Sequence, residues 1–190
     1  MDIQHILAQN GFYSDADVQL FQQQTTVREV AKNELLLRPG EICKSLFFNL
    51  DGSFYQYQCR DGLEERVIDL FPANEWFFDQ RSFAAQQPSD SYIRASHGGT
   101  VLELTIESLH GLIGASATFL QLGSVFARSS IRLQLFDNRM TPIQKYRFIV
   151  EQRRQLLQEF PLKYIASYLK IEPETLSRVR REFVKGERLY

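Results

Sequence analysis

The stretch 161–190, PLKYIASYLKIEPETLSRVRREFVKGERLY, constrains this chain more than any other part of it. Leu162, Ile165, Ala166 and Leu169 fall at i, i+3, i+4 and i+7, the stripe of a helix packed on one face. Lys170, Ile171 and Glu172 interrupt the pattern. Pro173 then opens a second helix, at a position where a missing N–H and a fixed φ cost nothing. Leu176, Val179 and Phe183 line one side of this second helix, and Glu174, Thr175, Ser177, Arg178 and Arg181 line the other. Two short helices joined by a tight turn, the second apolar inside and rich in donors and acceptors outside, suit the major groove of double-stranded DNA.

Charge supports this reading. Over 139–190 the chain holds twelve Lys/Arg against six Asp/Glu, whereas the preceding part holds ten against seventeen. A basic end on an acidic body fits a polyanion-binding head carried by a body with another task. No apolar run is long enough to span a bilayer, and the N-terminus lacks the basic and apolar regions of a secretory signal. A cytoplasmic protein without membrane contact is expected. Cys43 and Cys59 form no metal-ligand cluster and read as reduced cysteines, so neither a metal nor another cofactor is expected.

Over about 27–105 the pattern becomes short strands between turns. Turn signals recur at Pro39-Gly40, Asp51-Gly52, Asp61-Gly62 and Pro72-Ala73-Asn74. Leu46-Phe47-Phe48, Phe54-Tyr55-Gln56-Tyr57, 66–70, 92–95 and 100–105 supply the strands. Turns about every ten residues with aromatic and β-branched runs between them predict an antiparallel barrel or sandwich. Helices are expected over 3–9 and 14–24. The proline-free stretch 116–138 reads as one long helix. In it Phe119, Leu122, Phe126, Ser129, Leu133 and Phe136 are spaced 3, 4, 3, 4, 3, an a/d seam that predicts a homodimer. A second stripe, Leu120, Ala127, Ile131 and Leu135, is expected to pack on the strands, and Gly123 to permit close helix approach.

The order strands, long helix, basic helix-turn-helix resembles the Crp/Fnr family of bacterial transcription regulators over essentially the whole chain. LLLRPGEICKSLFFNLDGSFYQY is similar to the family's opening strands, and IASYLKIEPETLSRVRREF to its helix-turn-helix. The PETLSR variant resembles a subgroup of Bacteroidetes-type bacteria. The resemblance implies an α+β fold: an antiparallel, jelly-roll-like β-roll with flanking helices over 1–115, a dimerisation helix over 116–138 and an all-α DNA-binding domain over 139–190. It implies double-stranded DNA, a second copy of the chain and RNA polymerase as partners. In the family's pattern Glu174 and Arg178 read bases. Thr175 is expected at a phosphate or a thymine methyl, Ser177 on the same face, and Lys163 and Arg181 at phosphates.

The family's β-roll often binds a cyclic nucleotide through a phosphate cassette, here aligned with 78–95. Phe78 and Asp79 stand for its Gly-Glu, and Ser89 and Asp90 for its Arg-Ser/Thr. The planar guanidinium that clamps a phosphate is gone, and a carboxylate stands beside the place it would occupy. Cyclic-nucleotide binding of the usual kind is therefore not expected. Asp79, Arg81, Ser82, Ser89 and Asp90 remain as a candidate pocket for another small-molecule effector, with Asp79 facing a hydroxyl and Arg81 as a replacement cation. Lys170 stands where the family commonly has a turn glycine, and at positive φ it would cost about 1 kcal/mol. Glu172 is a poorer helix cap than the usual Ser/Thr. The sequence ends soon after the second helix, so the wing is expected to be missing or vestigial. No catalytic set is recognisable, and His5, His97 and His110 are dispersed. The leading expectation is a homodimeric DNA-binding regulator rather than an enzyme. The competing one is a small-molecule-binding or protein-interaction module whose helix-turn-helix no longer binds DNA.

Overall fold

The structure is a computed structural model that describes residues 2–60, 64–134 and 140–187. Two helices lead in, α1 (Ile3–Ala8) and α2 (Asp15–Gln24). A capping box starts α2: the Ser14 side chain accepts from the Asp17 N–H, and the Asp17 carboxylate accepts from the Ser14 N–H. Eight strands follow: β1 (Thr26–Val30), β2 (Leu35–Leu37), β3 (Ser45–Asn49), β4 (Ser53–Arg60), β5 (Glu64–Phe71), β6 (Trp76–Phe77), β7 (Tyr92–His97) and β8 (Gly99–Thr105). A short helix α3 (Gln80–Ala85) lies between β6 and β7. The strands pair antiparallel into two four-stranded sheets, β1-β8-β3-β6 and β2-β7-β4-β5, neither of them a closed barrel.

Alternation along the strands sends aromatic side chains between the sheets. Phe77 is the hub, with Phe54, Phe71 and Phe47 ring centroids 4.9, 5.0 and 5.4 Å from its own. Each such buried ring contributes about 1.5–3 kcal/mol relative to exposure. The Asp51-Gly52 turn needs its glycine. Gly52 has φ +91°, and a Cβ there would come 2.9 Å from the Gly98 carbonyl oxygen. Asp51 reinforces the turn by accepting from the Thr100 N–H at 2.6 Å.

The helix expected over 116–138 begins as a 3₁₀ segment. After α4 (Ile106–Ala115), Ser116 adopts an extended backbone with φ −149° and ψ 120°. A 3₁₀ segment, Ala117–Leu122, follows, and then α5 (Gly123–Gln134). This start turns the first residues of the expected seam into the chain's own core. Phe119 is fully buried against Tyr13 and Phe21, at 5.6 and 6.3 Å between ring centroids, and Leu122 is also buried. Phe126 packs on Phe78 at 4.9 Å and on Phe83 at 5.7 Å, and Ser129 is buried. Conversely, Leu120 is 63% exposed and Ala127 is exposed. Among the described residues the two faces are thus exchanged relative to the sequence reading: Phe119, Leu122, Phe126 and Ser129 face inward, and Leu120 and Ala127 face out. The side chains of Ile131 and Leu133, and the residues Leu135 and Phe136, lie outside the described residues. A Cβ on Gly123 would meet open space, so no close approach within the chain requires this glycine.

Four more helices follow among the described residues: α6 (Pro142–Gln152), α7 (Leu156–Glu159), α8 (Leu162–Tyr168) and α9 (Pro173–Glu187). They form a second core on the outer face of β4 and β5. Tyr55, Tyr57, Val67 and Leu70 from the strands join Tyr146, Ile149, Leu156, Ile165, Leu169, Leu176 and Val179 from the helices. The helix-turn-helix is therefore seated on the β-roll rather than separate from it.

Candidate nucleic-acid interface

The turn between α8 and α9 is built from backbone bonds around one strained residue. Lys170 has φ +55°, the left-handed conformation expected where the family commonly has glycine. Its N–H donates to the Ser167 carbonyl at 3.0 Å, and the Ile171 N–H donates to the Ala166 carbonyl at 3.1 Å. These two bonds make a Schellman motif, which satisfies carbonyls at the end of α8. Lys145 of α6, buried at 5% exposure, donates from Nζ to the Leu169 carbonyl at 2.9 Å and supports the same turn. A cation at a helix C-terminus also complements its dipole.

Leu176 and Val179 anchor the inner face of α9, and Phe183 meets Tyr146 edge-on at 5.4 Å between ring centroids. The opposite face carries Glu174, Ser177, Arg178 and Arg181, all exposed, with Thr175 half-buried beside them. Their spacing at i, i+3, i+4 and i+7 puts them on one stripe. The helix thus presents a carboxylate acceptor, a hydroxyl and two guanidinium forks along one side. Lys163 sits elsewhere. It lines a cleft of about 670 Å³ together with Tyr164, Lys170 and Pro173, whose other wall is Glu64, Glu65 and Arg66 of β5. Its Nζ lies 5.1 Å from the Tyr164 ring centroid.

The candidate effector residues also come together. Asp79, Arg81, Ser82, Ser89 and Asp90 line one cavity of about 190 Å³ with Gln87 and Pro88. Its buried polar groups are partnered with one another. Asp79 caps α3 by accepting from the Ser82 N–H at 3.1 Å, and its other oxygen accepts from Ser89 Oγ at 2.6 Å. Ser82 Oγ donates to the Gln87 carbonyl at 2.6 Å, and Ser91 Oγ donates to Asp90 at 3.0 Å. Backbone bonds from Gly40 to Ser89 and from Ser89 to Glu41, at 2.9 and 2.8 Å, strap the cavity wall to the Pro39-Gly40 turn. Asp79 is only 4% exposed, so the ribose hydroxyl that it was expected to take finds both carboxylate oxygens engaged. Arg81 is exposed at the rim. Phe78, in the place of the family's glycine, fills the space between α3 and α5 by packing on Phe83 and Phe126. Burial pushes the neighbouring Cys43 thiol up to about 11, which keeps it protonated and inert at neutral pH.

Sequence reading missed a cluster at the seat of the head. Arg153, between α6 and α7, is 8% exposed. One of its terminal nitrogens donates to Tyr168 Oη of α8 at 2.8 Å and lies 3.6 Å from Asp69 of β5. The other donates to Glu75 at 2.7 and 3.0 Å and to the Leu70 carbonyl at 3.0 Å. Desolvation opposes the charge, but Tyr168, Glu75 and Asp69 outweigh it and hold the Arg153 pKa above its ordinary value. Beside it, Ser167 Oγ accepts from the Val67 N–H at 2.9 Å, and Tyr164 stacks on Tyr55 with centroids 4.6 Å apart. No local pattern marks these residues, because their β-roll partners lie 78 to 109 residues away in the chain.

Among the described residues no group of His, Cys, Asp and Glu is arranged to hold a metal ion, and no helix is long and apolar enough to cross a membrane. In sequence, no protein-family profile and no curated protein matches the chain. In structure it is similar to FixK2 from Bradyrhizobium japonicum, with a TM-score of 0.71 at 16% identity over 86% of both chains. It is also similar to a CooA mutant from Carboxydothermus hydrogenoformans, with a TM-score of 0.64 at 15% identity over 97% of this chain and 85% of that one. The catabolite activator protein of Thermus thermophilus matches with a TM-score of 0.55 at 17% identity, over 92% of this chain and 85% of that one. A two-sheet β-roll, a helical connection and a C-terminal helix-turn-helix, shared at this level with such proteins, give the chain a Crp/Fnr-like fold.

Proposed function

We propose that this chain is a homodimeric, sequence-specific DNA-binding transcription regulator of Crp/Fnr type, acting in the cytoplasm beside RNA polymerase. The observation that carries the reading is α9: Leu176 and Val179 hold it to the body, while Glu174, Ser177, Arg178 and Arg181 stand free on the opposite stripe. A carboxylate there accepts from a cytosine amine, and an arginine bonds bidentate to guanine O6 and N7. Thr175 flanks this stripe at a phosphate or thymine methyl, and Lys163 adds a phosphate contact from α8. The second copy meets the chain along the outward stripe of Leu120 and Ala127, which the sequence continues at Ile131 and Leu135. Effector control by a cyclic nucleotide is not part of the reading, because Asp79, Ser82 and Ser89 satisfy one another where a phosphate and ribose would sit.

The test is a pair of titrations on a selected duplex. Arg178→Ala loses about 1–3 kcal/mol of binding and relaxes the preference at one base pair. Arg181→Ala weakens all sequences alike and flattens the salt dependence by about one phosphate contact. An Arg178→Ala protein that keeps every base preference overturns the assignment of reading residues.

A further inference from the structure

A guanidinium taken out of water persists only where its charge and its donors are matched. Arg153 meets that condition with groups from three separate parts of the chain. Asp69 and the Leu70 carbonyl belong to β5, Glu75 to the turn before β6, and Tyr168 to α8. One residue therefore cross-links the β-roll to the first helix of the helix-turn-helix. The preceding residue of α8 repeats the link, with Ser167 Oγ accepting from the Val67 N–H. A turn earlier, Tyr164 stacks on Tyr55 and donates to its hydroxyl at 3.3 Å. Along its length α8 is thus fastened to β4 and β5.

The fastening reaches α9 through α8 and α6. Lys145 of α6 bonds the last carbonyl of the α8 turn, and Leu176, Val179 and Phe183 seat α9 on the shared core. Parting the head from the β-roll would expose Tyr55, Tyr57, Val67 and Leu70 and would break the Arg153 pairs with Asp69 and Glu75.

We infer that Arg153 is a positioning residue for DNA reading: it rivets the helix-turn-helix to β5 so that α9 meets DNA in one preset orientation. The inference rests on the DNA-binding reading only for what the orientation is used for. Its consequence is that the head does not swing when DNA binds, and that losing the rivet weakens binding without changing which bases are preferred, because preorganisation is lost and base contacts are kept.

The test is a distance measurement by paired nitroxide labels in the full chain. Cysteines replace the exposed Val27 on β1 and the exposed Arg180 on α9, in a Cys59→Ser background. The labelled chain is diluted into unlabelled chain so that only intrachain distances are read. The parent protein gives one narrow distance, unchanged by duplex DNA. Arg153→Gln broadens it and lowers duplex affinity by about tenfold, the order expected for losing hydrogen bonds to a charged group. Arg153→Lys restores part of both, a rescue that a general loss of stability would not produce. Tyr168→Phe and Glu75→Gln, milder changes at the same joint, broaden the distance less and decide the matter if Arg153→Gln fails to fold. A parent distance that is broad or moves when DNA is added overturns the inference. So does a narrow distance that survives in Arg153→Gln, Tyr168→Phe and Glu75→Gln alike. A narrow parent distance in a protein that binds no duplex leaves the rivet standing and removes the DNA reading instead.

Discussion

The cavity beside α3 and the outer face of α9 are both lined by polar side chains on a short helix and its flanks, yet they spend those groups differently. In the cavity Asp79, Ser82 and Ser89 bond to each other and to neighbouring backbone, and they are almost fully buried. On α9 the apolar side chains take the buried positions and the charged ones stay exposed. A ligand entering the cavity would have to replace internal bonds with its own, for little net gain. A duplex approaching α9 meets donors and acceptors whose only competitor is water and counterions. The difference teaches that residue type alone does not make a site; what matters is whether the group is already satisfied.

The largest effect that sharpens this contrast concerns the inward stripe before α5. Leu122→Glu puts a charge among buried apolar neighbours and should destabilise the fold by about 4 kcal/mol or more, read as a collapse of the denaturation midpoint. Leu120→Glu, on the exposed side, should leave the midpoint nearly unchanged and shift the elution volume toward a monomer. Equal loss of stability in both variants would contradict the assignment of faces. Next in size, Ser89→Ala removes a bond to the buried Asp79 carboxylate and should cost about 1.5–3 kcal/mol in denaturant unfolding. A neutral result would mean that the cavity's groups are not holding one another. Smallest is Lys170→Gly, which relieves a positive φ and should stabilise by about 1 kcal/mol, a melting shift of about 2–4 °C. Duplex affinity should be unaltered, because α9 stays where it is. A destabilised Gly variant would show that the lysine side chain contributes more than its backbone costs.

Much of this architecture is legible in the sequence, for identifiable reasons. Aromatic and β-branched runs between turn signals mark β3, β4, β5, β7 and β8, and Ser14 with Asp17 marks the start of α2. β6 escapes because two residues are too few to show alternation, and β2 is legible only through the resemblance at LLLRPGE. The turn of the helix-turn-helix is legible at Lys170 through the resemblance, which puts it where the family commonly has glycine, and its φ is +55°. The 3₁₀ start after Ser116 is not, because its residues read equally well as the first turns of an α-helix. Heptad spacing picks out a stripe but cannot say which stripe faces the chain's own core. Arg153 and Lys145 read as solvated charges in a basic helical segment. Their burial depends on Asp69, Glu75 and the Leu169 carbonyl, which only the fold brings to them.

The measurement that tests the account most directly is a binding selection of the purified full chain on random duplexes, run with and without cyclic AMP. The account predicts a near-palindromic motif with half-sites about one helical turn apart, about 34 Å, as a dimer with one reading helix per copy requires. It predicts the same motif and the same affinity in both arms. No enriched motif in either arm, or a motif that appears only with the nucleotide, would contradict it.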